Sequence, residues 1–395
     1  MMDDPIRYKR LNPPERMLLG PDLSNASPRA RQGLIAVLEG AGDPSFLKVM
    51  EEALTLLRWL WGTENQDTFI IPGSEETALM AGLANLIEPG DAVVVSVAGF
   101  FGQRLAETAA RLGAKVVPIL ADPGQAVDPE VIRDALRAQD ARLLAVLHGD
   151  GSTGVEQPLD GLGKLAREHG ALLLVDSRWT TGALDLNIHR LGIDVCVAGS
   201  QKAISAYPGL GLVTFSPRAV EARQRRHSPV VDWTLDLDNL RDYAREERAV
   251  QTIPAPLVYA FTEMLQLAYE QDMRYRISRH VNRRDALVAG LEALNLELYA
   301  KPGYRLPTVT TVMVPAGIDQ DRVREQLLNP YRIDIGGGLG ELRGQLWRIG
   351  IMSHSAQPTY LLSFLTLLEV ILEKEGYSIP KRGSAVRALL DNLEP

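Results

Sequence analysis

The chain has 395 residues, 46% of them apolar and 23% charged, and a formal net charge of −8. This is an ordinary globular balance in a chain long enough for two cores, and with no long basic run it carries no footprint for nucleic acid. No apolar run reaches the ~18 residues of a membrane helix, and the polar start at residues 1–16 lacks the core of a secretory signal, so the cytoplasm is the expected compartment and no membrane partner is expected.

In chain order, short apolar runs alternate with helix-like stretches. Residues 68–71, 92–97, 115–119, 143–147, 171–175, 194–198 and 211–215 read as strands. Near-continuous apolar strands suit a mainly parallel sheet covered on both faces. Between them, 101–112 places Leu105, Ala109 and Leu112 on one side, and 159–169 does the same with Leu162, Leu165 and Ala166. Alternation of this kind predicts βαβ units, with ligands at the carboxyl ends of the strands. The single cysteine, Cys196, lies inside the 194–198 run and reads as a small core residue. It excludes an intramolecular disulfide and a multi-thiolate metal site.

After Ser216 the character changes. Residues 218–226 read as a charged helix, and Pro254-Ala255-Pro256 introduces a long helix from 257 onward. Residues 303–315 read as a strand, 336–340 as a glycine turn cluster, 346–351 as a strand and 360–373 as a closing helix. The expected organisation is an N-terminal arm and substrate loop at 1–24, a large α/β domain at 25–275 and a smaller C-terminal α+β domain at 276–395.

Three polar clusters stand at strand exits: Asp176-Ser177, Gly199-Ser200-Gln201-Lys202 and Gly149-Asp150-Gly151-Ser152-Thr153-Gly154. A Lys and an Asp at the ends of successive strands suit pyridoxal phosphate. The amine condenses with the aldehyde, and the carboxylate keeps the ring nitrogen protonated so that the ring draws off electrons. Taken singly, an Asp at a strand end is more often a cap or turn former, and a Lys there a solvated side chain. Order and spacing together favour the chemical reading.

The chain resembles the class V aminotransferases of the alanine–glyoxylate and serine–glyoxylate group, from Leu18-Leu19-Gly20-Pro21 to Trp347-Arg348-Ile349-Gly350. Matching stretches include Glu88-Pro89-Gly90-Asp91, Gly102-Gln103-Arg104, Ser152-Thr153-Gly154-Val155, Ser200-Gln201-Lys202 and Arg305-Leu306-Pro307-Thr308. The resemblance implies the type I fold of pyridoxal-phosphate transferases, a homodimer, and transfer of an amino group between a small amino acid of alanine or serine type and a 2-oxo acid such as glyoxylate. It implies that Lys202 carries the Schiff base and Asp176 pairs with the ring nitrogen. Ser74 and Gln201 would lie near the phosphate, which Thr252 would reach from the partner subunit. Thr153 would lie beside the ring and Phe101 would stack on it. Arg348 would clamp the substrate carboxylate, for which a guanidinium fork is the natural partner.

The chain also departs from this pattern. Glu75 and Glu76 stand where the family has a glycine and a small or histidine residue around the phosphate. Arg178 stands where a small apolar residue packs on the ring, and Trp179 follows it. Asp22, in Gly20-Pro21-Asp22-Leu23, would put a negative charge near the substrate carboxylate. Gly151 replaces a ring-touching serine, Ala249 a phosphate-binding tyrosine, and Ser353-His354-Ser355 a stretch of small residues or asparagine. Two carboxylates beside a phosphate are unfavourable, so at least one of Glu75 and Glu76 is expected to pair with Arg178 or to turn outward. These departures also open a second reading: a binding or regulatory protein on the same scaffold, or another pyridoxal-phosphate chemistry such as a lyase.

Overall fold

A computed structural model describes residues 12–245 and 251–393. Seven strands form the main sheet, in the order Thr68–Pro72, Leu210–Phe215, Val195–Gly199, Leu172–Asp176, Leu143–Leu147, Ala92–Val97 and Lys115–Leu120. Leu210–Phe215 runs antiparallel to both neighbours, and the other pairs are parallel. The seven strands expected here are all present, with their bounds moved by at most one residue; the strand expected at 303–315 is shorter, Val309–Met313.

The apolar runs are explained by burial on both sides. Val94, Leu144, Val146, Leu173 and Val175 join one core cluster, while Val93, Val95, Ala145, Leu172 and Leu174 join another. Successive residues of one strand therefore feed opposite cores, as the two-residue period of a strand requires. Cys196 is fully buried, its thiol in contact with the Ser177 hydroxyl at 3.2 Å, and burial pushes its pKa up to about 12.

A second sheet has four strands, ordered Met17–Leu19, Ile333–Gly337, Leu346–Gly350 and Val309–Met313. The first pairs in parallel with Ile333–Ile335, so the N-terminal segment is sewn into the C-terminal sheet. A third core, around Leu19, Trp347, Ile349, Phe364 and Leu365, fills the space between this sheet and the helices Met273–Glu292, Pro358–Lys374 and Ser384–Asn392.

The glycine cluster at 336–340 is not only a turn. Gly336 and Gly337 are strand residues paired with Arg348 and Trp347. A Cβ on Gly336 would lie 3.2 Å from the Arg348 guanidinium, and one on Gly337 would lie 2.3 Å from the Gln320 amide. Close packing, not chain reversal, sets these two glycines. Among the described residues no helix is long and apolar enough to cross a membrane.

Candidate active site

Asp176 closes its strand, and the adjacent strand Val195–Gly199 leads into Gln201 and Lys202, so both groups emerge at the same end of the sheet. The helix Glu75–Leu86 begins there as well, after the edge strand and Gly73, with Ser74 as its cap. The Ser74 hydroxyl accepts from the Glu76 amide at 3.2 Å. Its capping role explains why a short polar residue precedes the helix.

Lys202 is buried. Its Nζ lies 3.5 Å from the Glu75 carboxylate and 3.4 Å from the carbonyls of Pro21 and of Asp22. Burial pushes the amine below its ordinary pKa against the pull of Glu75, and Arg178 adds to the depression. Burial alone would raise the Glu75 carboxyl, but Lys202, Arg178 and the Gln201 amide outweigh it and hold the pKa low. A buried amine of depressed pKa is the form that attacks a carbonyl or takes up a proton.

Asp176 is completely buried and is gripped by Arg178. The guanidinium Nε donates to both carboxylate oxygens, at 2.9 and 2.8 Å, and Nη2 donates at 2.5 Å. Arg178 also pairs with Glu76, which Arg104 engages from the next helix. Nη1 of Arg178 lies 3.9 Å from Glu75. Glu75 in turn takes the Gln201 amide at 2.5 Å, leaving Gln201 Oε1 buried without a partner among the described residues. The expectation of an Arg178 partnership is met by both glutamates, closely by Glu76 and at the limit of an ion pair by Glu75.

The aromatic wall is Phe101 and Trp179. Their ring centres are 4.5 Å apart, and the Arg104 guanidinium lies 5.0 Å over Phe101. Trp179 is buried, donates from Nε1 to the Pro21 carbonyl at 3.0 Å, and has Lys202 Nζ 4.7 Å from its ring centre. Asp150 fixes Phe101 indirectly. One of its oxygens accepts from the Gly102 amide at 3.1 Å and the other from the Ser152 amide at 2.9 Å, tying the 149–154 turn to the start of the Phe100–Arg111 helix. Thr153 is buried in that turn and accepts at its carbonyl from Thr311 at 2.6 Å.

Arg348 enters from the second sheet. It is buried, donates to the carbonyls of Gly337 at 2.6 Å and Gly151 at 3.2 Å, and lines a cleft of ≈ 490 Å³ together with Gly20, Asp22, Arg324 and Arg343. Asp22 is exposed at the edge of this cleft. Thr252 stands apart, exposed just before the helix Ala255–Gln271, and Ala249 lies outside the described residues. Ser353-His354-Ser355 serves packing: the Ser353 amide donates to His280 at 2.9 Å, and the Ser355 hydroxyl accepts from the Asn25 amide at 2.8 Å.

Sequence reasoning gave no site role to Arg104, Asp150 or Trp179. Arg104 had a signal, since it lies three residues after Phe101 and so on the same helix face. Trp179 had one too, in its place three residues after the strand-end Asp176.

The donor set fits pyridoxal phosphate chemically. Lys202 is a nucleophilic amine for its aldehyde, Asp176 a carboxylate for its ring nitrogen, and Phe101 an aromatic face. Glu75, Arg178 and Trp179 hold the space beside those groups. A family model, Aminotransferase class-V, matches residues 44–340. The chain is 31% identical over 405 residues to the (S)-ureidoglycine–glyoxylate transaminase of Bacillus subtilis (strain 168), covering 98% of this chain and 97% of that protein. It is 37% identical over 353 residues to the alanine–glyoxylate aminotransferase of Callithrix jacchus, covering 88% and 85%. A crystal structure of alanine–glyoxylate aminotransferase from Nostoc sp. superposes with a TM-score of 0.91 at 39% identity, covering 93% of this chain and 98% of that one. Fold, site and relatives agree: the chain belongs to the class V aminotransferases. It is therefore a pyridoxal-phosphate-dependent enzyme that moves amino groups between amino acids and 2-oxo acids.

Proposed function

We propose that the protein transfers an amino group from a small amino acid, of alanine or serine type, to glyoxylate or a similar 2-oxo acid, with Lys202 as the catalytic amine. The names of its relatives support glyoxylate as the acceptor. The observation that carries the role of Lys202 is its buried amine, lowered in pKa, at the strand exit beside Asp176.

When bound, pyridoxal phosphate supplies an aldehyde carbon and an electron-withdrawing ring. With its amine free, Lys202 would take up and return the proton at the substrate Cα from one and the same side. Asp176 would hold the proton of the ring nitrogen, from a position that is completely buried. Phe101 would offer the ring an aromatic face. Arg348 orients the substrate through its carboxylate, its own direction fixed by two backbone carbonyls. Ser74, Thr153, Gln201 and a Thr252 from a second copy of the chain complete the cofactor contacts, and Asp22 borders the substrate. Glu75, Glu76 and Arg178 line the same seat.

In this reading the chain works as a homodimer in the cytoplasm, with residues 25–275 holding the cofactor, 276–395 closing over the substrate and 1–24 supplying the substrate loop. Exposed Ile35, Val37 and Leu38 suit burial against a second copy. Replacing Lys202 by Ala tests the assignment. Visible absorbance on adding pyridoxal phosphate should appear in the native chain and vanish in Lys202→Ala. Retained absorbance in the variant would overturn the role of Lys202.

A further inference from the structure

The departures from the family pattern meet at one place and fit one another. We propose that Glu75, Arg178 and Trp179 form a plug built into the cofactor seat, so that pyridoxal phosphate enters only by displacing them. This rests on reading Lys202 and Asp176 as the cofactor's anchors.

Each member of the plug resembles the part of the cofactor it displaces. A ring joined to Lys202 and stacked on Phe101 must occupy the space between them, and the Trp179 indole is there, 4.5 Å from Phe101 and 4.7 Å from the amine. A ring lying between Phe101 and Trp179 would need them about 7 Å apart, two contacts of roughly 3.5 Å. The Arg178 guanidinium supplies to Asp176 the positive N–H groups that a protonated ring nitrogen would supply. The Glu75 carboxylate is an anion at the first turn of a helix, bound to the Gln201 amide and beside the Lys202 amine. That is where a helix favours negative charge.

The set is complementary rather than accidental. Gly151 replaces a serine of the family, and a Cβ there would lie 2.4 Å from the Trp179 indole, so the indole needs this glycine. Three carboxylates, Glu75, Glu76 and Asp176, face three cations, Lys202, Arg178 and Arg104. Withdrawing Arg178 alone would leave Asp176 charged and unpaired in the interior, which is strongly unfavourable. Its departure is therefore coupled to the arrival of another cation at Asp176. Arg178 then keeps Glu76 as partner and has Glu75 within 3.9 Å.

The test compares the full-length native chain with the double variant Arg178→Val/Trp179→Ala and with Glu75→Gln, each stripped of cofactor. Pyridoxal phosphate is titrated in by visible absorbance, and melting temperatures are read with and without it. The plug predicts that the cofactor-free double variant melts lower than the native chain. It also predicts that this variant binds pyridoxal phosphate about tenfold or more tightly, with a larger rise in melting temperature on binding. Equal or weaker binding by the double variant overturns the plug. If the double variant does not fold, Glu75→Gln decides: tighter binding supports the plug, unchanged or weaker binding refutes it. Absence of absorbance in all three folded proteins overturns the anchor reading, and the plug with it. Absorbance that survives Lys202→Ala in the native background likewise overturns the anchor reading and the plug with it, whereas equal or weaker binding by the variants with absorbance lost in Lys202→Ala overturns the plug alone.

Discussion

Gly151 and Trp179 are fitted to one another: a single methyl group on Gly151 would stand 2.4 Å from the indole, closer than any non-bonded contact allows. The two residues belong to turns after different strands, so their match is tertiary. It predicts non-additivity. Gly151→Ser should destabilise the protein by about 1–3 kcal/mol through overpacking, and the same change in a Trp179→Ala background should cost much less. Thermal melts of the four proteins measure the coupling. Additive effects would show that the indole does not lie against Gly151.

Acid should weaken the fold through two buried histidines. Burial pushes His148 down to about 4 and, with nearby arginines, His280 down to about 3. His280 donates from Nδ1 to the Arg276 carbonyl at 2.7 Å and accepts at Nε2 from the Ser353 amide, so its neutral tautomer is fully used. Both pKa values are depressed in the folded state. The unfolded chain therefore takes up protons below about 6.5 while the folded chain does not, and stability falls as pH falls. Between pH 6.5 and 5 the two together should remove about 3 kcal/mol, since the unfolded histidines are half protonated at the start of that range and almost fully so at its end. Melting temperatures across this range should drop steeply, and His280→Gln should flatten the drop. A flat profile in the native protein would contradict the neutral assignments.

Arg348→Lys should raise the KM of both the amino acid and the 2-oxo acid by about tenfold to a hundredfold, because an ammonium cannot hold two backbone carbonyls and a carboxylate in one plane. Steady-state kinetics with each substrate varied in turn would show it. Unchanged KM values would remove Arg348 from the carboxylate site.

The proposed dimer predicts a light-scattering mass twice the 43.4 kDa of the chain. Charged replacements at Ile35 and Leu38, which are 85% and 72% exposed in the single chain, should lower that mass. A native chain that stays monomeric at micromolar concentration would exclude a Thr252 contribution from a partner.

The main sheet was legible because its strands are buried on both faces, which writes them into the sequence as apolar runs. Asp176 and Lys202 were legible for the same reason, as charges breaking off the ends of such runs. Gly336 and Gly337 were less so, since a glycine demanded by a neighbour's guanidinium or amide reads like a glycine demanded by a turn. The grip of Arg178 on Asp176 was hidden. The sequence places the two residues two positions apart but does not say that the side chain folds back onto the carboxylate instead of leaving room for a ring. The pairings of Arg104 with Glu76 and of Trp179 with Gly151 were hidden in the same way, because the partners come from distant segments.

The most direct test of the central claim is amino transfer itself. The purified chain, saturated with pyridoxal phosphate, is given isotopically labelled alanine, or serine, with glyoxylate, and glycine is quantified by magnetic resonance. The account predicts glycine and the matching 2-oxo acid in equal amounts, formed by the native chain and not by Lys202→Ala. No glycine from the cofactor-saturated native chain with either donor, or equal glycine from both proteins, would contradict it.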